Sequence, residues 1–323
     1  MIMKKTITAL LLASLTAGVF ALPNLLKKED FGANAIDNIS ANLSWENLKI
    51  KETYDTSSIE VETYCNNKKH APEISVSGST LYIETTNNGF SFFSSPTGLS
   101  CTVIIYVPQK KDFDEITLKT TSGEIEIERA LSAKDEIKIT STSGEINSSK
   151  GLFADTVKIT ATSGDIELYN IDADDFIAES NSADIEVIKF TGGTGKIHTT
   201  SGDINADDFA SEYANFQSTS GGITVKKFDC DYFDAKNRSG GIEMEFLSAP
   251  AASSAIHCTS GDIDIYLPMR AKFSVNASSN SGTFRDKFTN NRVDPRSNYK
   301  QDYNGGGAEI QIQTTSGDIT LEY

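Results

Sequence analysis

Long apolar runs are missing from this chain after residue 21, which excludes a second membrane-spanning helix of ordinary length. Such a helix needs about 20 consecutive apolar residues. At the start of the chain, Lys4 and Lys5 precede a short apolar stretch, and Ala21 ends a small-residue cleavage pattern. This arrangement predicts a signal peptide over residues 1–21, with an uncleaved anchor as the alternative. We therefore expect an exported protein, periplasmic, on the cell surface or secreted, with no integral membrane segment after cleavage.

Basic residues are scarce. The chain has 29 lysines and arginines against 45 aspartates and glutamates, a formal net charge of −16. Removal of Lys4 and Lys5 with the signal peptide lowers this charge by two, to −18. Such a surface repels nucleic acids and anionic lipid headgroups. The charge therefore predicts no nucleic-acid partner, and it suits contact with cations or with a basic partner.

Cysteines are few, and none of them has the Cys-x-x-Cys spacing of a zinc site. The three histidines are scattered, so no metal site and no cofactor is predicted. In an oxidising compartment disulfides are expected, and the sequence-local pairs are Cys65 with Cys101 and Cys230 with Cys258. Four cysteines allow three connectivities, so the pairing stays open at this point.

The abundant feature is a repeat of about twenty residues. A glycine in a Ser-Gly-acid-Ile context recurs in steps of 19 to 21 residues, followed by one longer step of 35. Two residues after this position stands an isoleucine in nine of the ten units, so we expect it to face a core. The repeat positions are Gly123, Gly144, Gly164, Ala183, Gly202, Gly221, Gly240, Gly261, Gly282 and Gly317.

Apolar residues alternate within each unit, as in Ile137 and Ile139, which is the period of a strand with one buried face. Each unit therefore predicts two short strands and two turns, which make one coil of a single-stranded parallel β-solenoid. The predicted fold is all-β, with about ten right-handed coils of 19 to 21 residues and an N-terminal β cap. A β-propeller, in which two units merge into one blade, is the alternative.

The predicted organisation has three parts. Residues 1–21 are the signal peptide, residues 22–100 the cap region, and residues 101–323 the solenoid repeat domain. A loop insertion at residues 285–307 interrupts the repeat, and residues 308–323 are expected to form the final coil. We expect the repeat glycine to supply a positive φ in the turn between strands.

A longer element occurs twice. Ile105 to Pro108 reads Ile-Tyr-Val-Pro and Ile265 to Pro268 reads Ile-Tyr-Leu-Pro, each followed by a phenylalanine and a repeat glycine. Together with the Gly-acid-Ile coils, this element resembles the bacterial "putative adhesin" family of β-strand-repeat domains of unknown function. The resemblance covers roughly residues 36–323. It implies a β-helix-like fold, an exported or envelope-associated location and an adhesive or scaffolding role, and it implies no catalytic residues.

Acidic residues follow most of the repeat glycines and should stack along one edge of the rod. Carboxylates on neighbouring coils, about 4.8 Å apart, repel one another unless they are solvated or bind a cation. The row predicts a solvated edge, with a line of weak Ca²⁺ sites as the alternative. Its members are Glu124, Glu145, Asp165, Asp184, Asp203, Asp262 and Asp318.

Two segments outside the repeat carry aromatic residues. Phe90, Phe92 and Phe93 lie in residues 87–100, and we expect them to pack over the core end, with insertion into a partner as the alternative. The insertion at residues 285–307 is locally basic and is predicted to be a binding loop, with a tolerated surface insertion as the alternative. Its candidate binding residues are Arg285, Lys287, Phe288, Arg292, Arg296, Tyr299, Lys300 and Tyr303.

The sequence gives little support for a catalytic site. A polysaccharide-cleaving β-helix needs clustered carboxylates or basic residues in one cleft. Asp172, Asp174 and Asp175 could stack near Asp207 and Asp208, but no basic or nucleophilic group accompanies them in the repeat. We therefore predict a non-enzymatic structural or adhesive cell-envelope protein that presents solenoid faces to a protein or glycan. A carbohydrate-active β-helix enzyme, a lyase or hydrolase, is the alternative.

Overall fold

The computed structural model describes residues 24–86, 98–293 and 298–323. Regular structure in these ranges is almost entirely strand, with short 3-10 turns at Ala33–Ala35 and Lys68–His70. None of the described helical segments is long and apolar enough to cross a membrane. The strands in chain order are β1 (Leu25–Gly32), β2 (Asn38–Asn42), β3 (Asn47–Thr53), β4 (Ser58–Cys65), β5 (Glu73–Ser77), β6 (Thr80–Glu84), β7 (Cys101–Pro108), β8 (Phe113–Thr120), β9 (Ile125–Ile127), β10 (Leu131–Ser141), β11 (Ile146–Ser148), β12 (Leu152–Ala161), β13 (Ile166–Ser180), β14 (Ile185–Thr199), β15 (Ile204–Ser218), β16 (Ile223–Ser239), β17 (Ile242–Phe246), β18 (Ser254–Ser260), β19 (Ile263–Tyr266), β20 (Phe273–Ser281), β21 (Phe284–Asp286), β22 (Asn291–Val293), β23 (Tyr299–Tyr303), β24 (Glu309–Ser316) and β25 (Ile319–Glu322).

Parallel pairing between successive coils builds two long ladders. Ladder A contains the strand segments that precede each Ser-Gly turn, and ladder B contains the segments that follow it. Ile137 of β10 pairs with Val157 of β12 in ladder A, and Ile166 of β13 pairs with Ile185 of β14 in ladder B. Strands β13 to β16 run from ladder B around a corner into ladder A without a break. The predicted all-β parallel solenoid is confirmed.

The core lies between the two ladders, because alternate side chains of every strand point inward. The repeated isoleucines form one buried column, and Ile185, Ile204 and Ile223 in the middle of the rod are at most 1% exposed. Phenylalanines fill the opposite side of the central coils, where the ring centroids of Phe190 and Phe209 are 4.7 Å apart. Full burial of one such side chain contributes about 1.5–3 kcal/mol.

The repeat glycines are needed mainly because neighbouring turns approach closely. A Cβ atom on Gly202 or Gly221 would lie 1.9 Å from the carbonyl oxygen of the preceding turn. Positive φ, the predicted reason, applies among the described repeat glycines only to Gly240, Gly282 and Gly317. In the central coils the left-handed conformation belongs to the corner between ladders B and A. The corner residues with positive φ are Asn170, Lys189, Asp208 and Lys227.

The N-terminal coils do not stack in chain order. β2 pairs in parallel with β6 on one side and with β8 on the other, and β3 pairs in the same way with β7 and β9. The coil made of β2 and β3 therefore lies between two coils that follow it in sequence. The stack thus begins within the region that the sequence assigns to a separate cap.

The C-terminal coils show the same interposition. β24 pairs in parallel with β18 and β20, and β25 pairs in parallel with β19 and β21. The coil of residues 309–322, expected at the end of the rod, lies between the coil of β18 and β19 and the coil of β20 and β21.

Antiparallel strands cover both ends of the stack. At one end β4 pairs with β7, β1 with β4, and β5 with β6. At the other end β23 pairs with β20 and β22 with β21. These strands occupy the backbone edges that an open solenoid would expose to other chains.

Candidate binding surface

The aromatic residues of the insertion form part of the C-terminal cap. Tyr303 is 4% exposed and its ring stacks on Phe273, with centroids 4.5 Å apart, while Phe288 packs against both rings. The buried carboxylate of Asp286 accepts hydrogen bonds from the hydroxyls of Tyr299 and Tyr303, each at 2.8 Å. Burial and the Asp286 carboxylate raise the pKa of the Tyr303 hydroxyl. These rings cover the core end instead of presenting the flat binding surfaces that the sequence predicts.

Two basic residues of the insertion are paired with the neighbouring coil. Arg285 lies 2.7 Å from the carboxylate of Asp318, and Lys287 forms an ion pair with Glu322. Arg292 and Lys300 are exposed on the cap strands β22 and β23.

Several predicted features fall outside the described residues. They are the signal peptide at residues 1–21, the aromatic residues Phe90, Phe92 and Phe93, and the candidate binding residue Arg296.

The acidic row binds the backbone of adjacent coils. The backbone N–H of Asp203 donates to the carboxylate of Asp184 at 2.8 Å, and that of Gly222 donates to Asp203 at 2.7 Å. Burial, and then the neighbouring carboxylates of Glu124 and Asp165, raise the pKa of Glu145. Within the described ranges no group of three or more possible ligands could hold a metal ion. The row therefore forms a hydrogen-bonded edge, which the sequence reasoning did not foresee, and weak Ca²⁺ binding stays the untested alternative.

The structure joins Cys65 to Cys101 in a disulfide. The two residues face one another on the antiparallel strands β4 and β7, with Cα atoms 4.2 Å apart. The bridge therefore ties the N-terminal cap to the outermost coil.

The predicted bridge between Cys230 and Cys258 is wrong, because both residues are free and buried. Cys258 pairs with Asn237, which lies seven residues beyond Cys230 along β16. At about 3.3 Å per residue this separation exceeds the reach of a disulfide. Cys258 instead occupies the inward turn position that Ser218 fills elsewhere, and its thiol donates to the carbonyl of Gly240 at 3.4 Å.

The acidic residues considered for catalysis lie in different columns. Asp172 is in register with Thr191 in ladder A, whereas Asp207 is in register with Ile188 in ladder B. Lys227 also forms an ion pair with Asp207 at 3.1 Å. The described geometry thus offers no facing pair of carboxylates from these residues.

A polar groove crosses the outer side of ladder A in the middle of the rod. We call it the A-face groove; its volume is about 290 Å³. Its floor is one column of residues in register on successive coils, and the imidazole of His198 is held by a hydrogen bond to the side chain of Asn215. Hydroxyl, amide and imidazole groups of this kind both donate and accept hydrogen bonds. The groove is lined by Thr160, Glu179, Asn181, His198, Thr200, Gln217 and Thr219.

Two further grooves adjoin one another on the outer side of ladder B. We call them the B-face grooves; their volumes are about 310 and 270 Å³, and both are lined by Glu186 and Ile188. Tyr169 and Ile188 are 45% and 38% exposed, which gives this strip an apolar centre. Tyr169 is in register with Ile188 on the next coil, as Glu167 is with Glu186.

Sequence reasoning predicted binding on the solenoid faces but did not locate these grooves, because it followed the inward positions of the repeat. The available signal lies in the outward positions between them, such as Thr160 between Ile159 and Ala161. When the units are aligned, the outward residues at the same position form a column along the rod. The strand register then shows which columns lie side by side.

The family assignment agrees with this geometry. The Toastrack DUF4097 family model matches residues 36–175 and 154–322, which is most of the chain. The chain therefore belongs to the Toastrack DUF4097 family. No curated protein matches it.

Several solved structures are similar to this chain. One described as a "putative lipid binding protein" from Parabacteroides distasonis ATCC 8503 is 18% identical, with a TM-score of 0.50, covering 91% of this chain and 96% of its own. A "putative adhesin" from the same organism is 12% identical, with a TM-score of 0.47 and coverage of 93% and 98%. A "putative adhesin" from Parabacteroides merdae ATCC 43184 is 10% identical, with a TM-score of 0.43 and coverage of 92% and 95%. At these identities the likeness concerns the fold alone.

Proposed function

We propose that this protein is an exported, non-enzymatic adhesive protein of the cell envelope, whose solenoid faces bind a protein or glycan. The solenoid is a rigid scaffold, because each coil is hydrogen-bonded to its neighbours on both sides. The separation of the catalytic candidates Asp172 and Asp207 into different columns supports binding over cleavage. The apolar first residues, with Lys4 and Lys5 before them, support export.

The A-face groove is the observation that carries this proposal. Successive coils place a hydroxyl, a carboxylate, an imidazole and an amide about 4.8 Å apart along the groove, from Thr160 through Glu179 and His198 to Gln217. An extended polysaccharide presents its own hydroxyls at regular intervals along its length. A shallow, polar and repeating groove matches such a ligand better than a compact, apolar one. We therefore favour a glycan as the partner of the A-face groove.

Binding to insoluble envelope polysaccharide tests the proposal. His198 and Gln217 lie in the groove, whereas His257 occupies the same column outside its lining. We expect the mature chain to bind the polysaccharide without releasing soluble sugars. The double variant His198→Ala, Gln217→Ala should bind about tenfold more weakly, and His257→Ala should bind as the parent does. Equal binding by all three proteins would exclude the A-face groove, and release of sugars would favour an enzyme.

A further inference from the structure

The outer side of ladder B differs from the A face in charge and polarity. Glu167 and Glu186 are exposed and in register on adjacent coils, so two like charges lie about 4.8 Å apart. Glu186 forms no ion pair with any described residue. Like charges in directly opposed positions destabilise a sheet. Asn147 offsets part of this cost by donating a hydrogen bond to the Glu167 carboxylate at 2.9 Å, which leaves Glu186 as the uncompensated member of the pair.

Acidic residues surround the apolar centre of this face. The turn carboxylates Asp165 and Asp184 come one residue before ladder B. Asp207 follows Ile188 in its column, but Lys227 pairs with it and Lys226 lines the second groove. Farther along the same face, burial and then the carboxylates of Glu322 and Asp264 raise the pKa of Tyr266. The unpaired negative charge beside the apolar centre therefore lies on the coils of Glu167 and Glu186.

Small inward residues accompany both B-face grooves. Ser148 takes the inward place that Ile127 and Leu168 fill on the adjoining coils, and it lines one groove. Its hydroxyl is buried and has no hydrogen-bond partner among the described residues. Ala206 likewise follows Val187 in the inward column and lines the second groove. Each groove is therefore found where a small residue replaces a larger one in the inward column.

We propose that the B-face grooves are a docking site for a basic, extended polypeptide segment. The exposed side chains of Tyr169 and Ile188 contact an apolar residue of the segment, and Glu167 and Glu186 pair with its lysines or arginines. Charge complementarity selects this occupant, because a nucleic acid or an anionic membrane would be repelled by the same carboxylates. This inference goes beyond the glycan site, which lies on the other ladder.

Labelled synthetic peptides test the docking site by fluorescence anisotropy with the mature chain. The basic probe consists of Lys-Thr-Leu-Thr repeats. An acidic probe replaces each lysine with glutamate, and a polar probe replaces each leucine with serine. We expect the basic probe to bind, more weakly as salt increases, since exposed charges are screened over about 8 Å at physiological ionic strength. The acidic probe should not bind, and the polar probe should bind several-fold more weakly.

Matched variants separate the two contributions to binding. The double variant Glu167→Gln, Glu186→Gln should weaken binding of the basic probe about tenfold, and Ile188→Ser should weaken it several-fold. The control variants are Glu179→Gln, in the A-face groove, and Leu247→Ser, which removes an exposed apolar side chain outside both B-face grooves. Both controls should bind the basic probe as the parent does.

Three results would overturn the docking proposal: equal binding by the parent and both B-face variants, equal binding of the acidic probe, or equal weakening by the controls. Each of these leaves the polysaccharide result unaffected, so failure of this inference is distinguishable from failure of the proposed function.

Discussion

At the residue scale, the repeated isoleucine is fixed by the pairing of three coils at once. Ile204 is fully buried and in register with Ile185 and Ile223. Its strand neighbour Asn205 points outward and is exposed. A single residue step along the chain therefore separates a core position from a solvated one.

Ile204→Asp should destabilise the protein by more than about 3 kcal/mol, because the carboxylate would be buried among isoleucines without a partner. Asn205→Asp adds the same side chain on the same strand, beside the carboxylate of Glu186, and this exposed change should cost less than about 1 kcal/mol. Urea unfolding monitored by circular dichroism measures both. Equal midpoints for the two variants would show that Ile204 does not face the core.

The close approach of neighbouring turns leads to a second prediction at the residue scale. Gly221→Val should cost about 3 kcal/mol, because its Cβ would lie 1.9 Å from the carbonyl oxygen of Gly202. Valine is chosen because Ala183 shows that one coil accommodates a single methyl group. A Cβ atom on the adjacent Gly222 would lie 3.7 Å from its nearest neighbour, an ordinary contact, so Gly222→Val serves as the control. Thermal unfolding of both variants decides between close approach and a general intolerance of side chains in this turn.

The acidic row has a pH dependence of defined sign. Burial and neighbouring carboxylates raise the pKa of Glu145 in the folded protein. Folding is therefore favoured by this group when it is protonated, and that contribution is lost as pH rises through the raised pKa. Glu145→Gln should have a higher melting temperature than the parent at pH 7, and the difference should disappear below the ordinary glutamate pKa. Calorimetry at both pH values checks this, and a difference that persists in acid would point to another cause.

The sequence predicts some of these residue roles and not others, for a physical reason. Alternation along one strand identifies Ile204 as an inward residue, because inward and outward positions differ within a single segment. The requirement for Gly221 arises between two coils, and nothing in the local pattern distinguishes close approach from positive φ. Whether Cys258 can form a disulfide with Cys230 likewise depends on the register between coils, which the local pattern does not give.

At the element scale, the ends of the rod need covering, and the insertion supplies strands for that purpose. Sequence reasoning assigned residues 285–307 to an exposed loop because they lack the repeat. Aromatic side chains in an irregular segment are equally suited to a binding surface and to the open end of a core. The structure places Phe288 and Tyr303 on Phe273, a fully buried side chain of the outermost coil.

The buried carboxylate of Asp286 should stabilise this cap. It accepts hydrogen bonds from two tyrosine hydroxyls, from the hydroxyl of Thr289 and from backbone N–H groups. Asp286→Ala leaves those donors buried without a partner, at a cost of about 1–3 kcal/mol. Hydrogen exchange should rise in residues 284–293 and 298–303 and stay unchanged in the central coils. The exposed carboxylate Asp302 is the control position, and Asp302→Ala should leave exchange near the parent level.

At the scale of the whole molecule, chain order and stacking order differ at both ends. Every coil presents equivalent backbone edges and a similar inward column, so the repeat pattern is satisfied by any order of stacking. The sequence therefore predicts the coil and its approximate number, but not which coil lies next to which. The interposed coils hold the rod ends together, since each is hydrogen-bonded to a coil on either side.

Because the coil of residues 309–322 lies inside the stack, a core substitution in it should affect a second coil as well. The same substitution in a coil at the end of the rod would affect that coil alone. Ile312 is fully buried and in register with Ile256 on one side and Ala277 on the other. Ile312→Asp should therefore detach both its own coil and the coil beyond it, because stability in a solenoid passes between nearest neighbours. Limited proteolysis with mass spectrometry should show new cleavage in β20 and β21 as well as in residues 309–322, while the coils of β10 to β15 stay protected. Gln313→Asp, an exposed change on the same strand, should leave the parent pattern intact. If β20 and β21 keep their protection in Ile312→Asp, the coil of residues 309–322 lies at the end of the rod and not within it.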